Sequence, residues 1–268
     1  MTKLEKRKTL ILDVLRKKNK LSVKEAVELI DASAATVRRF FQRLSNEGLA
    51  VRVHGGIQLV PEARGTYSYI LSNTSSIEQK TSIAGYAVEL IESGDLVFLD
   101  SGTTILKLAE MLEHKFEDGS LSDIVVVTNS LVSYEKLCPN CTVILVGGEV
   151  RLSRRDTSGR IAENALSSLH FRKSFFGADA IHPEKGLMAT DEWTMRMNEI
   201  VQQNSDSVFV LADSTKFGRS SLLTYSKLTE VDMIITDDGI PQEDLEQYTS
   251  SGAKIEVVNH SLLESSGI

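Results

Sequence analysis

Five short polar segments hold the residue types from which a binding or reactive site is made: Asp100, Ser101, Gly102, Thr103 and Thr104 in "DSGTT"; Thr128, Asn129 and Ser130 in "TNS"; Gly147 and Gly148 in "GGE"; Asp179 in "GAD"; Asp213 and Lys216 in "DSTKFG". Glycine lets backbone approach a ligand closely, while hydroxyls and N–H groups at a helix start favour an anion. Lys216 supplies a balancing cation. The three aspartates accept hydrogen bonds from hydroxyl groups, so the set suits a phosphorylated sugar. The same aspartates, with Glu149, are also candidate general bases for an isomerase acting on such a sugar. Taken singly, each segment reads better as a Ser/Thr helix cap or a glycine turn, and it is the five together that favour a pocket.

Other chemistries lack their motifs. There is no glycine fingerprint of a dinucleotide site and no phosphate loop ending in glycine-lysine-serine. Ser101 lacks the glycine frame of a nucleophile elbow. Cys138 and Cys141 in "CPNC" precede a strand-like run instead of opening a helix, and no second Cys or His pair accompanies them, so they read as loop thiols, not a redox or zinc centre. Neither cofactor nor metal is expected. The arginines of "RLSRRDTSGR" (Arg151, Arg154, Arg155 and Arg160) are equally compatible with anion ligands and with a solvated loop, and are assigned to neither.

The polar segments follow apolar runs. Strand-like stretches occur at 96–100, 124–128, 142–146, 173–177, 207–212, 232–236 and 254–258, separated in most cases by helix-like stretches such as "KTSIAGYAVELIES", "TILKLAEMLEHK" and "TMRMNEIVQQN". Apolar strands alternating with helices predict a parallel sheet covered on both faces, an α/β domain of Rossmann-like type. Ligands in such sheets bind beyond the carboxyl ends of the strands, where all five polar segments fall.

The first sixty residues differ in charge. They contain 13 Lys/Arg against 6 Asp/Glu, a net +7, whereas the remainder has 17 against 31, a net −14. A basic head on an acidic body suggests that the head alone meets a polyanion. Leu4, Ile11, Val14 and Leu15 form one face of a helix over about residues 3–17, which Asn19 and Lys20 break. Ser22 and Glu25 have capping-box spacing for a second helix reaching Ile30. Ser33 caps a third, closed by Gly48, in which Val37, Phe40, Phe41 and Leu44 make an apolar stripe with Phe40 at its edge. Ala35, Arg38, Arg39 and Gln42 cluster opposite, flanked by Thr36 and Arg43. Next, "LAVRVHGGIQLV" predicts a β-hairpin with Arg52 pointing outward and His54, Gly55 and Gly56 at its tip. Two helices and a tight turn followed by a hairpin describe a winged helix-turn-helix with its reader in the major groove. Arginine can take guanine and glutamine adenine, or either can grip phosphate.

The segment "TVRRFFQRLSNEGLAVRVHGGI" resembles the signature of the DeoR family of bacterial transcription regulators: paired arginines on the recognition helix, then an arginine-x-histidine-glycine-glycine wing. The match covers Thr36, Arg38, Arg39, Leu44, Gly48, Arg52, His54, Gly55 and Gly56. It departs from the family where Phe40 and Phe41 stand in place of aspartate and leucine. Downstream, "FLDSGTT", "VVTNS", "ILVGGEVR", "FFGADAI" and "LADSTKFG" resemble the family's effector domain, which is similar in fold to ribose-5-phosphate isomerase and the coenzyme A transferases. The resemblance implies an effector pocket for a phosphorylated sugar at Asp100–Thr104, Asn129, Gly147, Gly148 and Lys216, and relief of repression when it fills.

The expected organisation is a DNA-binding domain over 1–60, a linker over 61–79 and an effector domain over 80–268. The expected function is a DNA-binding regulator, a repressor of carbohydrate metabolism genes, with an isomerase bearing a DNA-binding head as the alternative. The expected partners are double-stranded operator DNA, a phosphorylated sugar and further copies of the chain, as a dimer or tetramer. With no apolar run long enough to span a membrane, the expected address is the cytoplasm.

Overall fold

A computed structural model describes residues 3–18, 20–46, 50–59 and 69–259. Gly48, Asn19 and residues 61–68 of the expected linker lie outside them. The chain divides into two units, Met1–Ser75 and Ser76–Ile268.

The head runs α1 (Lys3–Lys18), β1 (Lys20–Ser22), α2 (Val23–Ile30), α3 (Ala34–Asn46), β2 (Ala50–Val53) and β3 (Gly56–Leu59). The capping box forms: the Glu25 N–H donates to Ser22 Oγ and the Ser22 N–H to the Glu25 carboxylate at 3.0 Å. Ile11, Leu12 and Leu15 of α1 join Ala26, Ile30, Val37, Phe40, Phe41, Leu44 and Ile57 in one core. Phe40 sits inside this core, 6% exposed, and not at its edge. A third strand, β1, stands where only a helix break was expected. It pairs antiparallel with β3, Leu21 opposite Ile57, so the wing is rooted in a three-stranded sheet.

α4 (Tyr69–Asn73) lies within the expected linker, and α5 (Ile77–Val88) also begins there, ahead of residue 80. Tyr69 and Lys80 are both buried, whereas Ile77 and Glu78 in the first turn of α5 are exposed.

The body continues through β4 (Leu96–Leu99), α6 (Thr103–Glu117), β5 (Val125–Thr128), α7 (Leu131–Leu137), β6 (Thr142–Leu145), β7 (Glu149–Arg151), β8 (Asp156–Ser158), α8 (Arg160–Ser167), β9 (Phe171–Gly177), β10 (Ala180–His182), β11 (Gly186–Ala189), α9 (Glu192–Gln203), β12 (Ser205–Leu211), β13 (Leu223–Ser226), β14 (Met233–Asp237), α10 (Gln242–Ser250) and β15 (Ile255–Val258). All seven expected strand runs form one sheet in the order β15-β14-β12-β9-β4-β5-β6, every pair parallel. Successive strand residues point to opposite faces. Val97, Leu99, Val126, Phe175, Phe209, Leu211 and Ile235 pack with α5 and α6 residues such as Ile83, Leu108 and Leu112. Their neighbours Phe98, Val127, Phe176, Val208, Val210 and Ile234 pack on the other side with α8, α9 and α10 residues such as Leu166, Val201 and Tyr248.

Two smaller sheets were not expected. The segment read as an undecided loop is the antiparallel hairpin β7–β8, and β10, β11 and β13 form an antiparallel sheet of their own.

Candidate functional site

On the head, α3 turns its stripe inward and leaves Ala35, Arg38, Arg39, Gln42 and Arg43 exposed, with Thr36 half-buried. Ser33 caps the helix by accepting the Thr36 N–H at 3.3 Å. Arg52 and His54 are exposed on the wing, and Arg52 Nη1 donates to Gln42 Oε1 at 3.0 Å, tying wing to helix. Gly55 holds a φ of 76°, which the tip of the turn requires of it. Gly56 is buried, and a Cβ there would collide with the Leu21 carbonyl oxygen, so its role is to let β1 and β3 meet. Exposed cations and an amide on a helix, beside a fixed wing, can grip phosphates and read base edges.

In the body, the strand register brings the polar tips to one edge: Leu99 lies opposite both Thr128 and Phe175, Thr128 opposite Leu145, and Leu211 opposite Gly177. The chain proceeds outward from β4 through β5 to β6, then returns to start again at β9 on β4's other side. The crevice at such a reversal of strand order is where open α/β sheets hold ligands. Here two glycines line it, a Cβ on Gly102 lying 3.4 Å from the Gly177 Cα.

Asp100 sits at this point, 7% exposed, its Oδ2 accepting the Gly177 N–H at 3.2 Å. Burial pushes its carboxyl up, against the opposing pull of the Ser101 and Gly177 N–H groups and of Arg154. Tyr225 from β13 is buried nearby, its hydroxyl 3.4 Å from the Gly177 carbonyl. Burial and the charges of Asp100 and Asp179 hold it in the protonated form. Thr103 and Thr104 are buried in the first turn of α6, whose N-cap, Gly102, offers no side chain to cap it.

Several expected residues are committed to the frame. Thr128 Oγ1 donates to the Leu99 carbonyl at 2.6 Å, and Ser130 Oγ caps α7 by accepting the Ser133 N–H at 3.1 Å. Asp213 accepts both the N–H and the hydroxyl of Thr215. A Cβ on Gly148 would collide with the Ser158 carbonyl oxygen, so this glycine admits the hairpin, while Gly147 is exposed. Asp179 accepts the Thr190 N–H and hydroxyl at 2.8 and 2.9 Å. Two residues keep capacity in hand. Asn129 is 3% exposed; its Nδ2 donates to the Thr157 carbonyl at 3.2 Å, but its Oδ1 has no hydrogen-bond partner among the described residues. Lys216 is half-buried, and its ammonium makes no ion pair among the described residues.

Two of the four arginines left unassigned in the sequence, Arg151 and Arg154, prove central, whereas Arg155 pairs with Glu135 at the surface and Arg160 is exposed. Arg151 donates Nε and Nη2 to Asp156 at 2.8 and 2.6 Å and Nη1 to Asp191, the N-cap of α9, at 2.7 Å. Arg154 lies 3.2 Å from Asp191 and 3.8 Å from Asp179, and donates to the Thr190 hydroxyl at 3.0 Å. Ser101 Oγ donates to Asp156 at 2.8 Å, joining the strand tip to this cluster. Although burial pushes Asp191 the other way, Arg154, the Thr194 N–H and Arg151 hold its carboxyl below the ordinary range. The hairpin is fixed over the edge by backbone bonds from Thr157 N–H to the Asn129 carbonyl and from Leu131 N–H to the Arg155 carbonyl. The clustered pattern of arginines around Asp156 was the available sequence signal, but their partners at 179 and 191 are remote in the chain.

Among the described residues no helix is long and apolar enough to cross a membrane, and no group of three or more His, Cys, Asp or Glu is arranged to hold a metal ion. Residues 7–63 match the DeoR-like helix-turn-helix domain, and residues 75–238 the DeoR C terminal sensor domain. The lactose phosphotransferase system repressor of Lactococcus lactis is 32% identical over 242 residues, 89% of this chain and 93% of that protein. The HTH-type transcriptional regulator GlpR of Haloferax volcanii is 31% identical over 250 residues, 93% and 96% of the two chains. Ribose 5-phosphate isomerase A from Methanocaldococcus jannaschii aligns over 53% of this chain and 55% of that one, with 18% identity and a TM-score of 0.41.

Proposed function

This chain belongs to the DeoR family of transcriptional regulators, and from that premise we infer that it represses carbohydrate-metabolism genes and loosens its hold on operator DNA when a phosphorylated sugar occupies the crevice between β4 and β9. The observation that carries the DNA-binding half is the exposed Arg38, Arg39 and Gln42 face of α3, with the whole apolar stripe buried behind it. In support of the effector half, the phosphate end would meet the uncapped start of α6 at Gly102–Thr104, with Lys216 as counter-charge. The hydroxyl end would meet the Asn129 Oδ1 that lacks a donor, and the carboxylates beside it. A repressor of a lactose phosphotransferase system among the similar proteins is consistent with a sugar-linked role.

Asp100 is the carboxylate an isomerase would use as its base, and burial pushes its carboxyl up against the pull of the Ser101 and Gly177 N–H groups. Membership of a family of regulators favours a regulator over an isomerase. Linkage then sets the mechanism: an effector that binds one arrangement of the protein better must change DNA affinity by the same factor, roughly 5–150-fold. Two half-sites on the operator call for paired heads, hence a dimer or tetramer working on the chromosome in the cytoplasm.

The test is fluorescence anisotropy of labelled intergenic DNA flanking the chain's own gene, titrated with the protein and then with a panel of phosphorylated sugars. One sugar should release the DNA with a saturable dose response. Lys216→Ala should retain the DNA affinity and lose that response. Failure of every phosphorylated sugar to shift binding would reject the effector assignment.

A further inference from the structure

An edge strand presents a row of N–H and C=O groups to any strand that can pair with it, and proteins ordinarily blunt such an edge with a charge, a proline or a bulge. β15, one edge of the central sheet, carries Glu256 and keeps its side chains half-buried or buried. β6, the other edge, reads Thr-Val-Ile-Leu, pairs with β5 in unbroken register and has none of the three devices. Thr142 and Ile144 are exposed along it.

The surface beside that edge is apolar. Ile144 lies opposite Val127, on the side of the sheet that α8, α9 and α10 cover, yet it is 44% exposed, so the helix layer stops short of it. α8 buries Ala162 and Leu166 and turns Ile161, Asn164, Ala165 and Ser168 outward, a stripe at helical spacing without a charge. The hairpin joins the two. Val150, 56% exposed, lies opposite Thr157, whose hydroxyl donates to the Val146 carbonyl just past β6, and a Cβ on Gly148 would lie 3.3 Å from the Ala162 Cβ.

Charge selects what covers this face. Residues 142–168 hold four arginines against Glu149, Asp156 and Glu163, a net +1, which leaves 13 Lys/Arg against 28 Asp/Glu, a net −15, on the rest of 61–268. A second acidic body approaching elsewhere meets like charge; here it meets apolar side chains and both signs. We propose that β6, Val150 and the outward stripe of α8 form an isologous interface with a second copy of this chain, the two β6 strands pairing antiparallel across a two-fold axis. A two-fold partner brings the same open strand and the same apolar stripe, so each copy covers the other's edge. This rests on the reading that the chain works as a dimer or tetramer and adds where the copies meet. Arg151, alternating with Val150 along β7, faces Asp156 and Asp191 instead, so the interface stands one residue from the ion pairs that frame the crevice.

The experiment is sedimentation equilibrium of the full chain and of its Ile144→Lys, Ile161→Lys and Leu222→Lys variants. Ile161 and Leu222 are 69% and 70% exposed, and Leu222 lies outside the proposed face, so it controls for the added charge alone. Far-ultraviolet circular dichroism and Trp193 emission report that each variant is folded. The unmodified chain should sediment at no less than twice the mass of one chain. Ile144→Lys and Ile161→Lys should each halve that mass, a dimer falling to monomers or a tetramer to dimers, and Leu222→Lys should leave it unchanged. An unchanged mass in either folded variant of the face, or a mass halved by Leu222→Lys as well, would overturn the proposal while the oligomer stands. A monomeric unmodified chain would overturn the dimer or tetramer reading and the proposal together.

Discussion

Replacing Asp156 by alanine tests whether the arginine cluster holds the crevice together. Asp156 is fully enclosed and receives two N–H bonds from Arg151 and the Ser101 hydroxyl. Removing one partner of a buried ion pair costs about 3–5 kcal/mol, because the surviving charge stays buried without compensation. Arg151 is 17% exposed and keeps Asp191 at 2.7 Å, which places the cost near the lower end, about 3 kcal/mol. For a body of this size each kcal/mol lowers the melting temperature by about 2–4 °C, so Asp156→Ala should melt about 9 °C lower. Trp193, the only tryptophan in the chain and two residues beyond Asp191, provides a fluorescence signal specific to the body. The paired variant Asp156→Ala with Arg151→Met removes both charges and should recover about 1–3 kcal/mol relative to the sum of the single losses. A drop of less than about 1 kcal/mol for Asp156→Ala, or strict additivity in the double variant, would refute the claim that this pair braces the site.

Asp191 gives a test by pH. Its carboxyl is held below the ordinary value near 3.9, so its contribution is present at neutral pH and disappears as pH falls through the lowered value. The melting-temperature gap between the unmodified chain and Asp191→Asn should therefore be open at pH 7 and close below about pH 4; a gap constant across that range contradicts the assignment. Gly56→Ala should cost about 1–3 kcal/mol, since its Cβ would be driven into the Leu21 carbonyl, and a melting curve of the head's helical signal checks this. Arg38→Ala and Arg39→Ala should each weaken DNA binding. For whichever arginine grips a phosphate, the salt dependence should flatten by about one unit in log–log slope; an unaltered affinity in both would exclude α3 from the interface.

The central sheet was legible because its strands are apolar runs, the inner ones covered on both faces, as Phe98 and Phe175 beside Phe176 illustrate, while Ile144 on the edge strand β6 stays exposed. The helix caps at Ser22 and Ser33 were legible because their partners lie three residues away. What escaped notice was short or remote. β1 spans only Lys20–Ser22, too few residues for any period, and its strand character comes from pairing with Ile57. Hairpin β7–β8 is polar and three residues a side, and is held by Asn129, not by its own apolar pattern. The positions of the strand tips could be read, but not which hydroxyls the frame itself consumes: Thr128 and Ser130 look like ligand donors until their partners, Leu99 and Ser133, are known. Arg151 and Arg154 stayed undecided for the same reason, since Asp179 and Asp191 reach them only through the fold.

The adjacency of β4 and β9 gives the crevice a seam: one wall is made early in the chain and the other only after residue 171. The head, with a core drawn from its own helices and wing, is finished long before that. A message cut short before Phe171 would thus specify every element of the reader and a single wall of the sensor.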